Sequence, residues 1–98
     1  MNFFGKLFKN KKNKSAAEYA IDGEFLCSKG QCVKAVKEFD KAIALEPKND
    51  MFYASRSKAY KNLEKYQEAL SDIEKALELQ PEVSLYRKLK RQILVFID

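Results

Sequence analysis

The 98 residues, 46% of them hydrophobic and with a net charge of +5, make one small domain, long enough to bury a core and too short for a large cofactor-binding architecture. No apolar run approaches the roughly 18–20 residues that span a bilayer. Two cysteines and no histidine are too poor a ligand set for a structural metal site, so no metal or cofactor is expected.

The chain opens on MNFFGKLFKNKKNKS, residues 1–15. Wound as a helix, Phe3, Phe4, Leu7 and Phe8 form one apolar stripe, with Lys6, Lys9 and Lys12 off it. Lys6, Lys9, Lys11, Lys12 and Lys14 account for the whole excess of positive charge, leaving 15–98 neutral. The stripe is shorter than a signal-peptide core, its charges follow it, and no small-residue cleavage site comes after. A cytoplasmic, unprocessed chain is therefore expected. Two sharp readings of this segment compete with plain terminal disorder. In one, the stripe docks in a protein groove of its own or a neighbouring molecule. In the other, Phe3, Phe4, Leu7, Phe8, Lys9, Lys11 and Lys12 anchor the chain reversibly to an anionic membrane surface, at about 1 kcal/mol per lysine. Nucleic acid is disfavoured, because these lysines lack arginine neighbours and the rest of the chain is neutral.

From residue 16 the apolar spacing is helical, and predicted helices cover 16–29, 33–45, 50–62, 67–79 and 83–97. Gly30 stands where the first helix needs a left-handed residue to end it, and Glu64 has the same task with a less suitable side chain. Pro47 and Pro81 cannot continue the helices before them. Cys27 and Cys32 read as small residues in or near a packed turn; a disulfide needs a turn that permits it and is disfavoured in a cytoplasmic setting. In the last helix, Val83, Leu85, Tyr86, Leu89, Ile93, Leu94, Phe96 and Ile97 exceed what one face requires. The surplus at 93–97 suits either groove lining or self-association. Glu38, Asp40, Glu68, Asp72 and Glu74 lie on helix faces beside lysines, the first four at three or four residues, and are read as solvated ion pairs. With no histidine and no glycine-rich phosphate loop, nothing points to catalysis, and the chain is read as a non-enzyme.

AVKEFDKAIALEP (35–47) and ALSDIEKALELQP (69–81) superpose without a gap at an offset of 34 residues, with Ala35/Ala69, Lys41/Lys75, Ala42/Ala76, Leu45/Leu79 and Pro47/Pro81 identical. Tyr19/Tyr53 and Ala20/Ala54 extend the match upstream. The alanines of each second helix share one face and let a neighbouring helix approach closely.

This pattern resembles the tetratricopeptide repeat, a 34-residue helix–turn–helix unit. Tyr19, Gly23, Ala35, Phe39, Ala42 and Pro47 match in the first unit, and Tyr53, Tyr60, Tyr66, Ala69, Ala76 and Pro81 in the second. Ser57 in place of the small glycine, Ile73 in place of the aromatic, and Cys32 where the second unit has Tyr66 are departures. The resemblance implies an all-α, right-handed solenoid with repeats at 16–49 and 50–83 and a capping helix at 83–97, preceded by the basic segment 1–15.

It also implies a concave groove lined by the first helix of each pair, which receives a peptide or helix of a protein partner. The lining would come from Ala20, Glu24, Cys27, Met51, Ala54, Ser55, Lys58, Lys61, Asn62, Leu85, Lys88, Leu89 and Phe96. One subfamily holds the terminal carboxylate of chaperone tails with lysine, asparagine and arginine side chains. Here Ala20, Glu24, Ser55, Leu85 and Leu89 stand at those positions, so a groove without that carboxylate clamp is expected. The expected function is that of a protein-interaction adaptor. The alternatives are a peripheral membrane adaptor anchored by residues 1–15 and a homo-oligomerising module acting through 93–97.

Overall fold

Capping residues start two of the helices in the computed structural model, which describes residues 13–97, and glycine, proline or a left-handed turn ends four. Five helices and no strand occur among the described residues: α1 (Ala16–Ser28), α2 (Cys32–Leu45), α3 (Asp50–Asn62), α4 (Tyr66–Leu79) and α5 (Ser84–Leu94). The aromatic and lysine positions read as a tail anchor, Phe3 to Lys12, lie outside the described residues.

Ser15 starts α1 with a capping box: its hydroxyl accepts from the Glu18 N–H while the Ser15 N–H donates to the Glu18 carboxylate. Asn49 caps α3 by accepting from the Met51 N–H. At the end of α1 the Gly30 N–H donates to Cys27 and the Gln31 N–H to Leu26, a paired closure that needs a left-handed residue, and Gly30 has φ +79°. The end of α3 repeats it, with Glu64 donating to Lys61 and Lys65 to Tyr60, but here a side-chain-bearing residue is held at φ 62°. Left-handed backbone costs a non-glycine residue about 1–2 kcal/mol. Glu64→Gly is therefore expected to stabilise the fold by about 1 kcal/mol and raise Tm by about 4–8 °C, which a thermal melt measures.

The helices pair as α1/α2 and α3/α4; α2 then packs on α3 and α4 on α5. Ala35, Ala42, Ala69 and Ala76 are fully buried, as the close-approach argument requires. Ala16, Ala20, Cys32, Val36, Phe39, Phe52 and Ala59 form one apolar cluster with Ala35 and Ala42. Ala54, Ile73, Tyr86, Leu89 and Ile93 form the next with Ala69 and Ala76, and Tyr60 touches both.

Three expectations are corrected. The last helix stops at Leu94 instead of running to 97. Phe96 and Ile97 donate back only three residues, to Ile93 and Leu94, and this tightening lets the Phe96 ring stack on Tyr66 at 4.5 Å. Cys27 and Cys32 are joined in a disulfide, because the left-handed turn at Gly30 folds α2 back and brings their Cα atoms to 4.3 Å. Finally, Asp40, Asp72 and Glu74 pair across helices instead of along their own. Arg56 donates to Asp72 at 2.7 and 2.9 Å and to Asp40 at 2.7 Å, and Lys90 pairs with Glu74 at 3.3 Å. Glu38 and Lys41 keep the expected local pairing.

Candidate functional site

Successive first helices touch one another, α1 with α3 and α3 with α5, so their outward residues form one continuous face. Two adjoining depressions mark it. One, of about 290 Å³, is lined by Ala54, Lys58, Leu85, Tyr86, Leu89 and Gln92. The other, of about 230 Å³, is lined by Glu24, Cys27, Ser28, Ser55, Lys58 and Asn62, and Lys58 belongs to both. Residue spacing explains the convergence: Ala20/Ala54, Glu24/Lys58 and Ser55/Leu89 are 34 apart and occupy like positions on successive first helices.

The chemistry changes along the face. At the α1 end the Ser55 hydroxyl donates to the Glu24 carboxylate at 2.6 Å, placing a fixed negative charge between α1 and α3. Asn62 turns its amide toward the Cys27–Cys32 disulfide, at 4.0 and 3.9 Å from the two sulfurs. At the α5 end, Leu85 is 70% exposed beside buried Leu89 and Ala54, while Lys58 and Lys88 are exposed at the rim. Lys61 donates to Gln92 at 3.5 Å and ties α3 to α5. Beneath them the Tyr86 hydroxyl donates to Asp50 at 2.5 Å. Burial first, and then this hydrogen bond, hold the Tyr86 phenol well above the ordinary tyrosine range, so it stays neutral.

Of the thirteen lining residues expected, Glu24, Cys27, Ala54, Ser55, Lys58, Asn62, Leu85, Lys88 and Leu89 line the two depressions. Ala20 is buried in the first apolar cluster, and Lys61 reaches the face through Gln92. Met51 lines a different depression, of about 690 Å³, with the inter-repeat loops around Pro47, Lys48 and Gln80. Phe96 lies against Tyr66. Tyr86, which was not among the expected lining residues, forms part of the first depression, between Leu85 and Leu89 on α5.

A family model described as the tetratricopeptide repeat matches residues 51–83. Among curated proteins, the chain is 41% identical over 69 residues to the protein STIP1 homolog of Dictyostelium discoideum, a match covering 70% of this chain and 12% of that protein. It is 39% identical over 67 residues to the Hsp70-Hsp90 organizing protein of Triticum aestivum, covering 68% of this chain and 12% of that one. The chain thus spans about an eighth of the length of these relatives. Among solved structures, the second TPR of Spaghetti (RPAP3) bound to the HSP90 peptide SRMEEVD superposes with a TM-score of 0.82 at 22% identity, over 91% of this chain and 82% of that one. The TPR2AB-domain pHSP90 complex of yeast Sti1 superposes with a TM-score of 0.78 at 26% identity, over 82% of this chain and 31% of that one.

Proposed function

Because the chain belongs to the tetratricopeptide-repeat family, we propose that it is a protein-interaction adaptor that receives a partner peptide or helix on the face of α1, α3 and α5. The partner is held by internal side chains and not by a terminal carboxylate. The observation that carries this reading is Glu24, whose carboxylate is held by Ser55 at the α1 end of the face. A second carboxylate brought there meets like charge, whereas the SRMEEVD peptide seen on the RPAP3 domain is acidic at its end. The exposed Leu85, with Leu89 and Ala54 behind it, offers an apolar anchor point, and Lys58 and Lys88 favour acidic residues flanking that anchor. Among the described residues no helix is long and apolar enough to cross a membrane.

Two binding experiments test it. In fluorescence anisotropy, SRMEEVD with a free C-terminus and the same peptide amidated are expected to bind equally weakly; a loss of tenfold or more on amidation, about 1.4 kcal/mol, would mean that a carboxylate is recognised after all. In a displayed-peptide selection, the folded chain is expected to enrich sequences with an internal apolar residue flanked by acids, and Leu85→Glu is expected to abolish the enrichment. Equal enrichment by wild type and Leu85→Glu sinks the groove reading.

A further inference from the structure

Among the described residues, the side of each first helix that faces backward along the array is covered by the preceding second helix, except in α1. Phe52 and Ala59 of α3 are buried against α2, and Tyr86 and Ile93 of α5 are buried at the same positions against α4. Each interface also carries one cross-helix ion pair at the same register: Arg56 of α3 with Asp40 of α2, and Lys90 of α5 with Glu74 of α4. Stepping back by the 34-residue period from Phe52, Arg56 and Ala59 gives Glu18, Asp22 and Phe25 of α1. Phe25 is 60% exposed, and Ile21 one turn before it is 64% exposed. Among the described residues, nothing covers this apolar and acidic face at the start of the array.

We propose that residues 1–11 of this chain are the occupant, docking on the face of Ile21, Asp22 and Phe25 as α2 docks on α3. Charge, length and register agree. The segment is apolar and basic where the face is apolar and acidic, through Glu18, Asp22 and the neighbouring Glu38. Lys14, the last lysine of the run, already bonds Asp22 at 2.5 Å and lies over the Tyr19 ring, so this face attracts cations from that run. Four residues, 46–49, connect α2 to α3, and the equivalent connection 12–15, ending on the N-cap Ser15, leaves the eleven residues 1–11 to reach the face. The same step places Lys6 at the position of Asp40 and Glu74. The cross-helix pair is thus reversed in sign on both sides, Lys6 opposite Asp22 where Asp40 is opposite Arg56.

Hydrogen exchange on the full chain tests this. Amides of residues 3–9 are expected to exchange at least ~10-fold more slowly than in the isolated peptide 1–14, independently of protein concentration. Lys6→Glu and Asp22→Lys are each expected to abolish that protection and the double variant to restore it; Lys6→Glu alters only the segment, and Asp22 and Phe25 are solvent-accessible, so the domain stays folded. Exchange at the free-peptide rate overturns the proposal. So does protection that Asp22→Lys and Phe25→Ser leave intact, protection that vanishes on dilution, which assigns the segment to a second copy, or protection that appears only with anionic phospholipid vesicles, which assigns it to a membrane.

Discussion

Replacing Arg56 by alanine is expected to destabilise the fold by about 3 kcal/mol, a large part of what a domain this small possesses. Asp72 is 5% exposed, and its two oxygens accept from Nε and a terminal nitrogen of Arg56 at 2.7 and 2.9 Å. Removing the guanidinium leaves a carboxylate out of water with its main partner gone, and the loss exceeds the net worth of the pair. The guanidinium also joins α2 to α3 and α4 by its bond to Asp40 and lies 5.9 Å from the centres of the Tyr53 and Tyr60 rings. Its own ionisation is held well above the ordinary arginine range, first by the hydrogen bond to Asp72, so the charge persists at any working pH. Urea unfolding of Arg56→Ala, Asp72→Ala and the double variant checks this. The double variant should be less destabilised than the two single losses summed, by about 1 kcal/mol or more, because it leaves no charge stranded. Simple additivity would mean that the three-way contact is a surface pairing without much consequence.

Helix positions were legible because their causes are local. Gly30, Pro47 and Pro81 act within a few residues of themselves, and Glu64 adopts the left-handed conformation that its place in the period demands. Alanine burial followed from seven-residue spacing on one face. What joins helices was not legible in the same way. Arg56 is 16 residues from both Asp40 and Asp72, and Ser55 is 31 from Glu24; such contacts depend on how far successive pairs rotate, which no spacing rule along one helix contains. The lysines at local spacing from Asp40 and Asp72 suggested solvated pairs, and a better-placed arginine on another helix took their place. The cysteine pair shows the opposite limit. Its five-residue separation allowed two outcomes, and the backbone of one turn decided between them. For the interaction face, the period gave the positions of Glu24, Lys58 and Leu89 on successive helices. That Glu24 is held in place by a neighbouring helix emerged only from the packing.

Gly23→Ser is expected to destabilise the fold by about 2 kcal/mol, although it installs the residue that the second repeat carries at the same place. A Cβ on Gly23 would lie 2.7 Å from Cε1 and 2.8 Å from Cζ of Phe39, and Phe39 is 1% exposed and hemmed in by the first apolar cluster. Overpacking of a closed site forces a rotamer or backbone shift, and the better helix propensity of serine recovers only part of that cost. In the second repeat the corresponding pair is Ser57 and Ile73, both fully buried. The shorter isoleucine leaves room for a Cβ, and the Ser57 hydroxyl is satisfied by donating to the Ala69 carbonyl at 2.7 Å. Each repeat thus solves the same close crossing with a different large–small pair. Phe39→Ile alone is expected to cost about 1–2 kcal/mol through the space it leaves. Gly23→Ser with Phe39→Ile rebuilds the second repeat's solution inside the first, with the Ala35 carbonyl placed to accept from the new hydroxyl. The double variant should therefore retain at least about 1 kcal/mol of the stability that the two single losses, added together, would remove. If urea midpoints show strict additivity, the two positions are independent, and the glycine is there for its backbone and not for the ring that crosses it.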